Sequence, residues 1–179
     1  MKFYEQKISG VFLIEPELFL DDRGVFRRHF CQKEFQAQGI VTDICQCNVS
    51  ENKYAYTLRG FHYQLPPYGE GKTLSCFSGM IYDVVVDLRP ESSTYLEWIA
   101  VELSAQNRKS VHVPPGCANA FLTLEDHCVI QYYCSEFYHP PAERGIRYND
   151  PLFKFEWPAQ PQVISSKDAN HADFVPFRK

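Results

Sequence analysis

The feature that most constrains the fold is a series of short runs rich in β-branched and aromatic residues, each closed by a turn signal. Residues 111–113 stop at Pro114-Pro115-Gly116, and residues 58–64 stop at Leu65-Pro66-Pro67. Aromatic residues make up 15% of the chain, which also has 12 prolines. Aromatic side chains favour half-buried strands, and proline marks strand ends. The sequence therefore predicts an all-β fold with short peripheral helices, for which residues 32–39 are the best candidate.

Ten such runs follow one another along the chain. We expect strands at 11–14, 25–30, 45–49, 58–64, 73–77, 80–88, 98–103, 111–113, 121–124 and 129–133. Many short strands joined by tight turns favour a jelly-roll barrel, which closes most of its edges on itself. Because no repeat or linker interrupts the pattern, residues 1–179 are predicted to form one domain. The proline-rich tail from Tyr138 onward is expected to wrap the barrel.

Composition excludes several classes of protein. No apolar run approaches the ~18 residues of a membrane helix, and no secretory signal is visible. The net charge is -4, without a block of basic residues, so neither a membrane nor a nucleic acid is expected as a partner. The seven cysteines form no CxxC pair, which favours reduced thiols and a cytoplasmic location.

Residues 80–88 show how a polar group can enter the core. Strand alternation places Ile81, Asp83, Val85 and Asp87 on one face and the intervening residues on the other. If the Asp83 face is the interior, its carboxylate needs a partner or a functional role, because unpaired burial is costly. If that face is the exterior, Asp83 is solvated. The sequence leaves both alternatives open.

Two clusters contain residues suited to chemistry. Residues 58–64 place His62 close to Arg59, and Lys72 follows. A lone strand histidine is more often structural than catalytic, but the nearby cations can bind a diphosphate or an enolate oxygen. In the second cluster, Tyr132 and Tyr133 point to opposite faces of a strand, so one of them faces the interior in either register.

A metal site is the other common use of histidines in small barrels. His62 is followed by Tyr63 and Gln64 rather than by a second histidine. After Pro114-Pro115-Gly116, Asn119 occupies the position where a further ligand is expected. The spacing therefore predicts no three-histidine metal centre.

Several separated motifs, in order, resemble one known family. They are Asp22-Arg23-Gly24-x-Phe26, Gln46-x-Asn48-x-Ser50, Leu58-Arg59-Gly60-Phe61-His62-Tyr63-Gln64, Gly71-Lys72, Asp83-Val84-Val85-Val86-Asp87-Leu88-Arg89, Ser93-Thr94-Tyr95, Val113-Pro114-Pro115-Gly116, Tyr132-x-x-Ser135, Asn149-Asp150-Pro151, Trp157-Pro158 and Ser166-Lys167-Asp168. From about residue 11 to 168 the chain resembles the dTDP-4-dehydrorhamnose 3,5-epimerase family. The resemblance implies a metal-free, cupin-type jelly roll that works as a homodimer without a cofactor.

The resemblance also implies an activity and catalytic roles. Family members epimerise nucleotide-linked 4-keto-6-deoxy sugars at carbons next to the ketone, through an enolate. By similarity His62 is the base, Asp168 orients its imidazole, and Tyr132 is the acid on the opposite side. Lys72 is expected beside the ketone oxygen, where it stabilises the enolate. A role in surface polysaccharide synthesis is implied as well.

Binding residues are implied in the same way. Arg59 resembles the diphosphate-binding arginine, and Tyr138 resembles a residue that stacks on the base or contacts phosphate. Further substrate contacts are implied at Arg23, Gln46, Asn48, Glu143 and Lys167. The N-terminal strands are expected to complete the site of the partner subunit.

The chain departs from the family at two positions. Arg28 stands where the family usually has glutamate, in the nucleotide region, so the base carried by the substrate stays open. Asn119 stands where the family usually has histidine, so epimerisation at C3, at C5 or at both stays open. A 3,4-ketoisomerase and a non-catalytic nucleotide-sugar-binding protein are the alternatives.

Overall fold

The computed structural model describes residues 1–177 and is built almost entirely of strands. The strands are β1 (Lys2–Glu5), β2 (Phe12–Glu15), β3 (Leu18–Asp21), β4 (Gly24–Arg27), β5 (Gln46–Asn52), β6 (Thr57–Gln64), β7 (Lys72–Ser78), β8 (Met80–Asp87), β9 (Trp98–Ser104), β10 (Ser110–Val113), β11 (Cys117–Thr123), β12 (Cys128–Cys134), β13 (Glu143–Gly145) and β14 (Val163–Ile164). The helices are α1 (Gln32–Gln36), α2 (Ser166–Ala169) and a 3-10 turn at Pro140–Ala142. No helix in this part of the chain is long and apolar enough to cross a membrane.

Two main sheets form the barrel, as the jelly-roll prediction requires. The first sheet has the order β1-β2-β10-β7-β12-β5, and the second has the order β13-β6-β11-β8-β9, with β14 also paired to β6. Strands β3 and β4 form a separate hairpin. The predicted all-β, cupin-type jelly roll with short helices is confirmed.

The structure corrects the predicted boundaries in several places. Strands β1, β3, β13 and β14 were not predicted, because two to four residues carry too little alternation to stand out. The strand expected at 25–30 ends at Arg27, and the strand expected at 121–124 begins at Cys117. The predicted helix at 32–39 ends at Gln36.

Three apolar clusters hold the elements together. The central cluster lies between the two sheets and includes Leu74 and Ile130 from the first sheet and Ile81 and Val85 from the second. A second cluster joins the outer face of the second sheet to the C-terminal segment through residues such as Phe153. A third packs α1 against β1 and β2. The prediction that the tail wraps the barrel is confirmed by the second cluster.

Strand β8 resolves the question of which face is inside. Ile81 and Val85 belong to the central cluster, and Asp83 between them is fully buried. The inward alternative for Asp83 is therefore confirmed. Asp87 lies on the same face and is also buried, but near the end of the strand, where Arg89 binds it through Nε at 2.8 Å and Nη2 at 2.8 Å.

Asp87 generates a prediction about stability. Burial alone would raise the pKa of Asp87, but hydrogen bonds from Arg89 and Thr94 lower it to about 2. Its contribution is therefore present above the unfolded pKa near 4 and is lost as the pH falls toward 2. We expect Asp87→Asn to lower the free energy of unfolding at pH 7 by about 3 kcal/mol, since it leaves Arg89 without its partner.

Chemical denaturation at pH 7 and pH 3 measures this effect. The penalty of Asp87→Asn should shrink at the lower pH. Asp22→Asn, an exposed carboxylate in the β3–β4 turn, is the matched control and should change little. An equal loss in both variants would contradict the role of the Asp87 network.

Candidate active site

An open cavity of about 690 Å³ lies at one end of the barrel, between the two sheets. Ligand-binding cavities are typically about 300–1,000 Å³, so this cavity is large enough for a substrate of some size. Its polar lining includes Arg59, His62, Lys72, Asn119, Tyr132, Lys167 and Asp168. All four residues predicted to be catalytic therefore line one cavity, together with three of those predicted to bind substrate.

One wall carries a histidine–aspartate pair. His62 is on β6, and Asp168 is on the short helix α2, which returns 106 residues later. Ser165 caps α2 by accepting a hydrogen bond from the Asp168 backbone N–H at 3.0 Å. Asp168 Oδ1 lies 2.7 Å from His62 Nε2. The C-terminal segment thus delivers a buried carboxylate to a strand in the middle of the chain.

Asp168 is held in its ionised form. Burial alone would raise the pKa of this carboxyl, but its hydrogen bonds with His62 and with the Gly60 N–H, at 3.4 Å, lower the pKa below its ordinary value. An ionised Asp168 accepts the His62 Nε2–H, so the other ring nitrogen, Nδ1, is left as the acceptor. The arrangement prepares the imidazole to take up a proton.

Gly60 makes the close approach behind this pair possible. Its φ is +112°, and a Cβ at this position would lie 2.6 Å from the Asn119 carbonyl oxygen and 2.7 Å from Ala120 Cα. Only glycine therefore allows β6 to pack here against β11 while its N–H reaches Asp168.

Tyr132 lies on the opposite sheet from His62. It is on β12, beside Leu74 of β7, and it lines the cavity. Tyr133 points to the other face, where its ring contacts His29 and Phe30. Burial raises the pKa of Tyr132, as does nearby negative charge, so the phenol keeps its proton near neutral pH. The sequence left open which tyrosine faces the interior, and the structure selects Tyr132.

Lys72 has a partner that sequence reasoning missed. Its Nζ lies 2.7 Å from Glu70 Oε1, and both side chains are largely buried. The only sequence signal was the proximity of Glu70 to the Gly71-Lys72 motif. Glu70 supplies the partner that Lys72 needs at the cavity wall, because burying an unpaired ammonium is costly.

Arg59 is also fixed in place. Its Nε donates to Asn52 Oδ1 at 2.7 Å, and Asn52 is in turn bound to the Cys128 carbonyl oxygen. Sequence reasoning did not identify Asn52. The remaining donors of the Arg59 guanidinium are suited to an anionic ligand.

Asn119 meets the buried Asp83 at the cavity wall. Asn119 Nδ2 donates to Asp83 Oδ2 at 3.1 Å, while Asp83 Oδ1 is buried without a partner. Burial raises the pKa of Asp83 to about 8, despite the opposing effect of Asn119 and the charge of Lys72. Asp83 is therefore mostly neutral at pH 7 and adds little negative charge to the site.

Four of the predicted binding residues form a connected group beside the cavity. Lys167 Nζ binds Glu143 Oε2 at 2.5 Å, and the Tyr138 hydroxyl donates to the same oxygen at 2.7 Å. The Tyr138 backbone N–H donates to Gln46 Oε1 at 2.7 Å. Of these residues only Lys167 lines the cavity, so the group extends the polar surface outward from its mouth.

The other three predicted binding residues lie away from the lining. Asn48 is next to Tyr132 on the neighbouring strand and contacts Cys134 Sγ at 3.9 Å. Arg23 is at the exposed tip of the β3–β4 hairpin and pairs with Asp21. Arg28 pairs with Glu34 at 3.1 Å. Their roles stay predictions.

One group in residues 1–177 has the composition of a metal site. His62, Asp168 and His171 each offer a ligand atom, and these atoms lie within 4.8 Å of one another. His171 does not line the cavity, so it stands behind the His62–Asp168 pair.

The fold and the cavity define a cupin-type barrel whose site is built around a histidine–aspartate pair and a facing tyrosine. The sequence profile of the family described as dTDP-4-dehydrorhamnose 3,5-epimerase matches residues 5–175. The chain is 39% identical over 176 residues to dTDP-4-dehydrorhamnose 3,5-epimerase of Shigella flexneri, covering 98% of this chain and 97% of that protein. The chain belongs to this family, as the sequence motifs predicted.

Solved structures agree with this assignment. The epimerase of Bacillus anthracis, solved with TDP and PPi bound, superposes with a TM-score of 0.93 at 35% identity, covering 97% of this chain and 99% of that one. A 3'-monoepimerase of Streptomyces bikiniensis, ChmJ, solved with dTDP-quinovose, has a TM-score of 0.84 at 32% identity, covering 92% and 84%. The similar structures thus include both double and single epimerases, and they do not favour a ketoisomerase.

The buried Asp83 generates a prediction about pH. Its pKa is about 8 in the folded protein and close to 4 when unfolded, so stability falls as the pH rises from about 4 to about 8. Asp83→Asn cannot ionise. We expect this variant to gain about 3 to 5 kcal/mol relative to the wild type between pH 5 and pH 8.5.

Unfolding free energies of both proteins at these two pH values measure this gain. The difference between variant and wild type isolates Asp83, because the other titrating groups are shared. A difference that does not change with pH would show that Asp83 is ionised throughout.

Proposed function

We propose that the chain catalyses the cofactor-independent epimerisation of a nucleotide-diphosphate-linked 4-keto-6-deoxy sugar at C3, C5 or both. The observation that carries the proposal is the placement of the His62–Asp168 pair and Tyr132 on opposite sheets of one cavity. Inversion at a carbon requires a proton to leave one face of the sugar and another to arrive at the opposite face. Two proton-transfer groups on facing walls meet that requirement.

Proton removal is assigned to His62. A C–H beside a ketone is acidic because its electron pair delocalises onto the ketone oxygen as an enolate. His62 Nδ1 takes this proton, and the resulting imidazolium donates Nε2–H to the ionised Asp168. The enolate oxygen then faces Lys72, whose ammonium stabilises the negative charge.

Proton return is assigned to Tyr132. Its phenol donates a proton to the opposite face of the same carbon, so the enolate collapses to the ketone with inverted configuration. The raised pKa of Tyr132 keeps the phenol protonated until this step. Solvent reprotonates the phenolate and removes the proton from His62, which resets the site.

The nucleotide end of the substrate fits the outward polar surface. Arg59 binds the diphosphate, and the group of Lys167, Glu143, Tyr138 and Gln46 extends from the cavity mouth toward the nucleoside. The TDP and PPi bound in the Bacillus anthracis relative support a nucleotide-linked substrate. Asn119 contacts the sugar, and Arg28 contributes to the nucleotide region, where the identity of the base stays open.

We also infer a homodimer in which the N-terminal strands complete the partner's site. The β3–β4 hairpin exposes apolar side chains, with Leu20 74% and Phe26 71% accessible. Arg23 lies at the tip of this hairpin, and 90% of its side chain is accessible to solvent. A residue that binds substrate within a complete site is expected to be more buried than this. Within residues 1–177, strand β5 pairs only with β12 and forms an edge of the first sheet that can accept a further strand. A second copy of the chain covers these surfaces.

The cellular setting follows from the substrate. We infer a cytoplasmic enzyme that supplies sugars for surface polysaccharide, an inference supported by the free thiols of all seven cysteines.

The separation of the two proton transfers gives the main prediction. A panel of 4-keto-6-deoxy sugars linked to dTDP, CDP, GDP and UDP is incubated in heavy water and followed by NMR. His62→Ala should abolish deuterium incorporation, with a loss of at least about 10³-fold, while nucleotide binding stays within a few-fold of wild type. Tyr132→Phe should still allow proton removal but impair inversion. Full exchange in His62→Ala would contradict the assignment of the base.

A complementation experiment tests the shared site. Arg23→Ala and His62→Ala should each be inactive alone. In a heterodimer of the two, one site carries both substitutions and the other carries neither. Co-expression with different tags should therefore restore about a quarter of wild-type activity in a random mixture of symmetric dimers. If no activity returns, Arg23 does not act across the interface.

A further inference from the structure

His171 is a second imidazole beside the His62–Asp168 pair, and the chemistry described so far does not use it. Its Nε2 lies 3.9 Å from Asp168 Oδ1 and is buried without a hydrogen-bond partner. A Cβ on Gly145 would overlap the ring of His171. Gly145 in turn pairs with His62 across β13 and β6. The missing side chain at Gly145 therefore makes room for this imidazole behind the pair.

The three side chains offer a ligand set that suits zinc. Two imidazole nitrogens and a carboxylate oxygen lie within 4.8 Å of one another, with separations of 2.7 and 3.9 Å from Asp168 Oδ1. Tetrahedral zinc, with bonds of about 2.0–2.2 Å to nitrogen and oxygen, needs ligand atoms about 3.3 Å apart. The two separations from Asp168 Oδ1, 2.7 and 3.9 Å, each differ from that spacing by about 0.6 Å.

The surroundings support a bound cation. His171 Nε2 is buried without a hydrogen-bond partner, so this ring nitrogen can offer its lone pair to a cation. The nearby charges of Glu143 and Lys167 compensate each other through their ion pair. The Gly60 N–H and the Ser165 cap keep the carboxylate and its helix in place, as outer partners do in zinc sites.

We propose that His62, Asp168 and His171 form a zinc-binding site that inhibits the enzyme reversibly. Zinc coordinates His62 Nε2, so Nε2 releases its proton to solvent and Nδ1 takes one from solvent. The imidazole stays neutral, but Nδ1 now carries a proton and cannot accept one from the sugar. The metal also neutralises Asp168. The inhibition rests on the proposed function, whereas zinc binding does not.

Zinc binding is measured first, without substrate. The full-length protein, stripped of metal with EDTA, competes with a chromophoric chelator for Zn²⁺. His171→Ala should weaken the affinity at least tenfold, and so should His171→Gln, which keeps a side chain packed on Gly145. Cys47→Ser removes an exposed thiol and should have no effect. Replacing Zn²⁺ with Co²⁺ should give an absorption spectrum of nitrogen and oxygen ligands without a thiolate band.

Turnover is measured second, on whichever sugar of the panel the protein accepts. Zn²⁺ should inhibit the wild type, EDTA should restore it, and Mg²⁺, which prefers oxygen ligands, should have no effect. His171→Ala should keep its basal activity and need at least ten times more Zn²⁺ for the same inhibition. Unchanged zinc affinity in His171→Ala, a thiolate spectrum, or full turnover with zinc bound would overturn the proposal. Absence of turnover without metal would refute the proposed function and leave the binding result intact.

Discussion

The hydrogen bond between His62 and Asp168 is the interaction on which the rest of the site depends. It joins the middle of the chain to a four-residue helix near the C-terminus. It also determines which atoms of the two side chains act as hydrogen-bond donor and acceptor. The carboxylate stays ionised because it accepts hydrogen bonds, and the imidazole keeps one nitrogen free because the other is engaged. A strand glycine and a capping serine support this bond from either side. Packing thus determines which imidazole nitrogen is left as an acceptor.

The barrel places polar side chains of the first sheet opposite the His62–Asp168 pair. Its two sheets face each other, and strand alternation brings side chains from both into the same space. Tyr132 and Lys72 come from the first sheet, and His62 and Asn119 come from the second. A cavity with different chemistry on its two walls follows from a fold whose interior is otherwise apolar. The second wall also carries the hydrogen bond from Asn119 to the buried Asp83.

The sequence predicted the fold class and most of the long strands, because alternation is a local signal. Seven of the residues that it marked as candidates line the cavity, and six do not. It could not decide which face of β8 carries the inward side chains, and so whether Asp83 is buried. It also could not choose between Tyr132 and Tyr133, since a period of two gives two faces but does not say which one is buried. It missed Glu70 and Asn52, because their importance arises only from the side chains they contact. The short strands β13 and β14 escaped notice for a similar reason: they exist only because the tail packs along β6.

The late position of Asp168 has a consequence for how the protein comes to be active. Apart from Ser165 and Lys167, every other polar residue that lines the cavity has been synthesised by residue 132, and the last of the strands β5–β12 ends at Cys134. Strands β1–β12 are therefore synthesised before the carboxylate that pairs with His62. The His62–Asp168 pair forms only when the final segment has left the ribosome and docked. A chain that ends before residue 168 lacks the carboxylate that lies 2.7 Å from His62 Nε2.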